Sequence, residues 1–389
     1  MAAPNASKAY IIAARRSAIG RIGGLHRSRR LPALAAPVIV AALADAGVTP
    51  AEVDAVWLGN TSENANPARA VALAAGIADT ANAMTLDQGS ASGLEAILSA
   101  IRAIDQGDAE IVVAGGAESL STAPWRITRP LNPMQLPRVI APEPLGATTP
   151  DASFSIEAGE RLATTYAISR ERQDRCAIES RERADTARAA RRFVGEIVPI
   201  RVNAEESRDQ GGEALDADEI TDADPLLDPD GTLTLANVAL SHDGAAFVVI
   251  VSEAVWLRLG QPAALRLVAS AGRGVAPGEE ASAPIAAVQK LYTRLNGFDR
   301  RAITRFELAE TSAAQALAFA KALSLDEATV NPDGGSLARG HPLGASGAVL
   351  VVRLFSALAR VKQVDAPGFA IAAQEAAGGL GIAAMFRPA

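Results

Sequence analysis

The chain is poor in cysteine, with one, and in histidine, with three; aromatic residues make up only 4% of its 389 positions. A single thiol cannot close an intramolecular disulfide, which suits a reducing compartment and gives the expectation of a cytoplasmic protein. Three histidines and one cysteine are too few for the usual zinc ligand sets, so no metal is expected. No stretch approaches the roughly 18 uninterrupted apolar residues of a membrane helix. The opening MAAPNASKAYIIAARR lacks the basic start, long apolar run and cleavage site of a leader peptide. No membrane partner is expected. The formal net charge is −7 and no basic stripe is present, which excludes the clustered Lys and Arg of a nucleic-acid partner. The one basic cluster, Arg27 to Arg30 beside His26, reads as a solvated loop.

What remains is a globular composition, 49% hydrophobic and 21% charged, long enough for two or three domains. Short β-branched runs alternate with Ala-rich helical patterns, the signature of an α/β fold. Ala9–Ile12, Ala55–Leu58 and Ile111–Ala114 read as strands. Leu31–Ala46, closed by Gly47, and Pro67–Ala78 read as helices. The pattern then recurs. AVWLGNTSENANPARAVALAAG matches RFELAETSAAQALAFAKAL, SASGLEAILSAIRAI matches GASGAVLVVRLFSAL, and AEIVVAGGAESLS matches GFAIAAQEAAGGLG, each about 250 residues later. This predicts a duplicated α/β protein: a first half over 1–120 with 245–265, a second over 266–389, and between them an inserted loop or lid domain over 121–244. The insert carries one long charged helix, Arg170–Arg192.

Three short segments carry candidate chemistry. Ser90-Ala91-Ser92-Gly93-Leu94 follows a strand and opens a helix; Ser90 there is a nucleophile candidate or simply an N-cap. Gly340-His341-Pro342-Leu343-Gly344 lies in a glycine-dense loop in which His341 suits a general base. Glu375 ends an apolar strand, Phe369–Ala373, and precedes Gly378-Gly379; it is either a solvated acid or, if buried, a functional carboxyl. Gly115-Gly116-Ala117-Glu118-Ser119 completes no nucleotide-binding pattern. Cys176, on the charged helix, reads as a packed, inert thiol.

Together these segments resemble the thiolase family over nearly the whole chain. The most specific pieces are NPDGGSLARGHPLGASGA, VAGGAESLSTAP, ISRERQDRCAIESRERA and AAGGLG. The resemblance implies a five-layer αβαβα thiolase fold of two duplicated halves with an inserted loop domain, assembled as a homodimer or homotetramer. It also implies roles, position by position. Ser90 stands where the family keeps its acyl-accepting cysteine, and His341 is the histidine that deprotonates it. Glu375 replaces the second cysteine, which exchanges a proton with the substrate α-carbon. Ala309 replaces the asparagine that holds a water at an oxyanion hole. Ala239-Leu240 replace the Ser-Gly beside pantetheine, and the acidic stretch from Glu205 to Asp230 is unfavourable to the phosphates of coenzyme A. Gly89, Gly378 and Gly379 are candidates for shaping the oxyanion site, and Trp125 and Met134 for lining an apolar substrate pocket.

Three functions follow. The first is retro-Claisen cleavage of a small β-dicarbonyl substrate, such as a 1,3-diketone, through an acyl-Ser90 intermediate, hydrolytic and with no cofactor. The second is a coenzyme A- or carrier-linked acyltransferase using Ser90. The third is a thiolase-like protein without catalysis.

Overall fold

The computed structural model describes residues 7–132, 134–139, 154–201, 204–211, 217–360 and 368–389. Its strands are β1 (Ala9–Ser17), β2 (Gly20–Arg21), β3 (Ala55–Gly59), β4 (Asn82–Leu86), β5 (Ile111–Glu118), β6 (Ile197–Val198), β7 (His242–Ser252), β8 (Leu265–Gly274), β9 (Ile303–Leu308), β10 (Phe369–Ala376) and β11 (Leu380–Pro388). Its helices are α1 (Leu31–Ala46), α2 (Pro67–Ala74), α3 (Ser92–Gln106), α4 (Phe154–Thr165), α5 (Arg170–Ala189), α6 (Ala217–Thr221), α7 (Glu253–Arg258), α8 (Ala283–Arg294), α9 (Ala313–Leu323), α10 (Ser336–Arg339) and α11 (Ser346–Phe355).

The strand order β4-β3-β5-β7-β1-β8-β11-β10-β9 contains the predicted duplication. In the first half β3-β5-β7-β1 are neighbours; in the second, β9-β10-β11-β8 repeat that order. In each half two parallel strands meet an antiparallel strand: β3 and β5 are parallel with β7 antiparallel, and β9 and β10 are parallel with β11 antiparallel. The halves join through a single register pair, Ile11 with Leu265. The extra strand β4 occupies the outer edge of the first half.

Alternation along the strands builds the layers. In β10, Ala370 and Ala372 face the central core with α3 and α11, while Ile371 and Ala373 face the outer core with α8 and α9. In β7, Val248 and Ile250 point inward, and Phe247, Val249 and Val251 point outward against α1 and α2. The order is therefore helix, sheet, helix pair, sheet, helix: the expected five layers. Every residue of α11 is buried, which explains why it is apolar apart from Ser346 and the ion-paired Arg353, whereas α3 keeps Arg102 and Asp105 exposed. The span Leu343–Arg360 is long and apolar enough to cross a membrane by length and composition, but 78% of it is buried inside the fold.

Helix ends sit where the sequence placed them in α1, which stops at a left-handed Gly47, φ 65°. They sit earlier in α2, which ends at Ala74 rather than Ala78, shortly before a left-handed Gly76. The charged helix also closes early, at Ala189. The loop around His26 differs from the solvated face expected. His26 and Arg29 are buried, with Arg29 Nη1 2.7 Å from His26 Nδ1 and paired with Glu206, whereas Arg27 and Arg30 are exposed. Sequence proximity of basic residues could not reveal a carboxylate 177 positions away.

Candidate active site

Three segments meet at the start of α3. The Gly344 carbonyl occupies the space that a side chain on Gly93 or Gly116 would need. Gly347 packs on Leu94 in the same way. A side chain on Gly89 would touch Ala376, at 3.4 Å, and Gln374 Nε2 donates to the Ser90 carbonyl. Gly93, Gly116 and Gly347 are thus required by close approach, whereas Gly89 has room for a side chain. Gly115-Gly116 in particular lie within β5 and make room for the facing strand and loop. The segments bearing Ser90, His341 and Glu375 converge at the junction of the halves.

Ser90 is half-buried and precedes α3 by two residues. It is not the N-cap: that position is Ala91, which makes no side-chain cap bond. The bracing serine is Ser92, whose Oγ accepts from the Gln88 amide at 2.8 Å and donates to the Gly89 carbonyl at 2.5 Å. Gly89 takes φ 58° to make the turn. Among the described residues the Ser90 hydroxyl has no hydrogen-bond partner, so it is free to act on a ligand.

His341 is buried and held at both backbone ends. Its amide donates to the Leu240 carbonyl, and its carbonyl accepts from His242, each at 3.0 Å. Ring Nδ1 lies 2.9 Å from Ser346 Oγ. Burial lowers its pKa to about 4, with a smaller contribution from His242, so the ring is neutral at physiological pH. Glu375 lies inside β10, opposite Gly381, rather than after the strand. It is 4% exposed and receives the Gln315 side-chain amide. Burial raises its pKa to about 7; Glu280 pushes the same way, while hydrogen bonds from Thr311 and Gln315 oppose. The bonds of Glu375 therefore run to α9 and its preceding loop, and the ring partner of His341 is Ser346. Ser90, His341 and Glu375 are the residue types of a hydrolase-like triad, but no bond here joins Glu375 to His341.

Ala309 directly follows β9, buried, with its amide on the Ala373 carbonyl at 3.1 Å. Gly378 and Gly379 form the β10–β11 turn with φ 82° and 76°. The Ala239 amide donates to the Thr311 carbonyl at 2.9 Å, and Leu240 is partly exposed, so both lie beside the His341 loop. Trp125 and Met134 are 86% and 91% exposed on the subunit and are not brought to this site.

Several residues escaped sequence reasoning. Glu280 is 1% exposed; Oε1 accepts from the Gly278 amide at 3.0 Å and Oε2 has no partner. Gln315 links it to Glu375, since its amide also donates to the adjacent Ala281 carbonyl at 3.2 Å. Glu118 is fully buried, accepts from Asn60, Thr61 and Ser62, and lies against Gly344. Burial pushes the Glu118 and Glu310 carboxyls upward. The flanking sequence gives a signal only for Glu118, which ends an apolar strand. Cys176 is packed in the outer core, and burial drives its thiol up to about 12, which makes it inert as expected.

The acidic stretch is less hostile to phosphates than its composition suggested. Glu206 is neutralised by Arg29 and Asp209 by Arg16. Glu213 and Asp216 lie outside the described residues.

A duplicated five-layer α/β protein with a histidine loop and a serine converging at the inter-half junction belongs to the class of thiolase-type condensing and cleaving enzymes. Residues 9–254 match the N-terminal domain of thiolase and residues 261–388 its C-terminal domain, and the chain belongs to the thiolase family. The acetyl-CoA acetyltransferase of Cupriavidus necator is 34% identical, across 96% of this chain and 97% of its own. The crystal structure of the Bacillus anthracis acetyl-CoA acetyltransferase superposes with a TM-score of 0.88 at 31% identity, covering 99% of both chains. A thiolase from Ascaris suum in complex with coenzyme A gives 0.86 at 29% identity, covering 98% of this chain and all of that one.

Proposed function

We propose that the protein cleaves the C–C bond of a small β-dicarbonyl substrate by retro-Claisen chemistry through an acyl-Ser90 intermediate, with water as the acyl acceptor and no cofactor. The observation that carries this reading is the buried Glu375 carboxyl, raised to about 7, one residue from the Gln374 amide that holds the Ser90 carbonyl. A carboxyl with that pKa is partly protonated at neutral pH and can supply a proton to a carbon leaving group.

In the proposed sequence neutral His341 takes the Ser90 proton as Oγ attacks one substrate carbonyl carbon. The C–C bond then breaks, its electrons forming an enolate, and Glu375 protonates the enolate α-carbon. His341 releases the Ser90 proton to solvent and, neutral again, deprotonates the water that attacks the acyl ester; the carboxylic acid leaves as Ser90 takes that proton from His341, and Glu375 is reprotonated from solvent. Backbone amides at Ser90 and the Gly378-Gly379 turn are the proposed oxyanion donors, the Gly89 amide being engaged by Asp87 at 3.0 Å. With Ala309 in place of the family asparagine, no side chain is available there to hold a water.

A second reading is acyl transfer to coenzyme A or a carrier. It is favoured by the named activities of the relatives and by the neutralisation of Glu206 and Asp209. A homodimer or homotetramer remains part of the proposal; the open edge of β4 is a suitable meeting point.

The test is intact-protein mass spectrometry after brief incubation with β-diketones or acyl-CoA thioesters, with substrate loss followed in parallel. Acyl adducts and consumption from a diketone, both absent in Ser90→Ala, are expected. Adducts only from acyl-CoA would replace the first reading with the second. Undiminished turnover in Ser90→Ala would refute the nucleophile in either.

A further inference from the structure

A cavity of about 430 Å³ lies between the C-terminal half of α5, the segment around Gly195 and Asp209, and the Gly334–Arg339 loop. Five arginines and three aspartates line it. The aspartates are already neutralised. Asp185 pairs with Arg188 at 2.8 Å, Asp209 is held by Arg16 at 2.6 Å, and Asp333 is shared by Arg192, Arg305 and Arg353. Arg181, Arg191 and Arg208 form no ion pair among the described residues, and Arg339 has one long contact, 3.5 Å to Glu307.

Two of these cations are costly where they sit. Arg181 Nη1 is buried with no acceptor, while Nη2 reaches only the Ala236 carbonyl at 3.2 Å. Arg339 is 4% exposed; burial is the largest influence on its charge, which Glu307 and Asp209 attract and Arg353 and Arg16 repel. Burial weakens the hold of both guanidiniums on their protons. An uncompensated buried guanidinium is unfavourable unless something of opposite charge completes it. Phe193, Val194 and Ile197 give the cavity an apolar wall, and its volume falls within the range of small-molecule sites.

We propose that this cavity binds a small polyanion, a metabolite bearing phosphate or carboxylate groups, with Arg181, Arg208 and Arg339 as its principal ligands. Guanidinium forks match the paired oxygens of either group. The site is separate from Ser90 and independent of the reaction proposed there. Its Gly334–Arg339 wall leads through Gly340 to His341 along the chain.

The experiment is isothermal titration of the full chain with inorganic pyrophosphate, and in a second arm with citrate, at low ionic strength. Saturable binding near one per chain is expected. Arg208→Ala, an exposed position with no bonds to lose, and Arg181→Met should each weaken it about tenfold or more, while Ser90→Ala leaves it unchanged. Tighter pyrophosphate assigns a phosphoryl ligand and tighter citrate a polycarboxylate. Absence of saturable heat in both arms, or wild-type affinity in a folded Arg208→Ala together with Arg181→Met, overturns the site.

Discussion

Replacing Glu375 by glutamine separates a proton-transfer role from a structural one. The side chain is 4% exposed and receives the Gln315 amide, a bond that a glutamine carbonyl also accepts. Its pKa rises from the ordinary glutamate value of 4.5 to about 7 in the fold. The native state therefore binds a proton that the unfolded chain has already released between those limits. Stability contributed by this site is fully present below the unfolded value, falls as pH climbs through that window, and is flat above it. A rise of that size corresponds to about 3.5 kcal/mol as an upper bound, at about 1.4 kcal/mol per pH unit. For 389 residues the unfolding entropy is of order 0.8 kcal/mol/K, so the effect on Tm is about 4 °C. Glu375→Gln should melt like the parent near pH 4.5 and about 4 °C higher near pH 8. Turnover should drop by about two orders of magnitude or more. The assay is thermal melting across pH 4.5–8 beside initial rates on the substrate found by mass spectrometry. A Tm difference independent of pH would refute the buried, titrating carboxyl. Equal losses of stability and rate would refute its role in proton transfer.

Three further outcomes follow from the same geometry. Glu280→Gln removes a neighbouring negative charge, so the Glu375 titration, and with it the alkaline limb of kcat, should move to lower pH; an unmoved limb would separate the two carboxyls. Gly116→Ala places a methyl group into the Gly344 carbonyl, and soluble yield and activity should fall together, since the loop cannot retreat without moving His341; wild-type behaviour would show that the close approach is not required. Arg353→Met removes one of the two cations on Glu196 and one of the three on Asp333 in the core and should cost about 1–3 kcal/mol in denaturant unfolding, with a shift below about 0.5 kcal/mol refuting the weight given to that network.

How much of this was legible in advance depends on the range of the interaction. The duplication, the strand and helix types and the α1 stop at Gly47 are local or periodic signals, fixed by side-chain alternation and backbone preference. Ser90, His341 and Glu375 stood out because glycine-rich motifs surround them, and the fold brings their segments together. What the residues alone could not show is their partners. Glu375 turns toward Gln315 and Glu280 rather than His341, Ser92 rather than Ser90 braces the helix entry, and Trp125 and Met134 stand in solvent on the subunit. The buried network of Arg16, Glu196, Arg353, Asp333 and Arg305 joins residues from both ends of the chain. Each looks, in sequence, like an ordinary surface charge. Whether a charge is solvated, paired or left facing a cavity depends on which distant segment packs over it, and only the tertiary structure decides that.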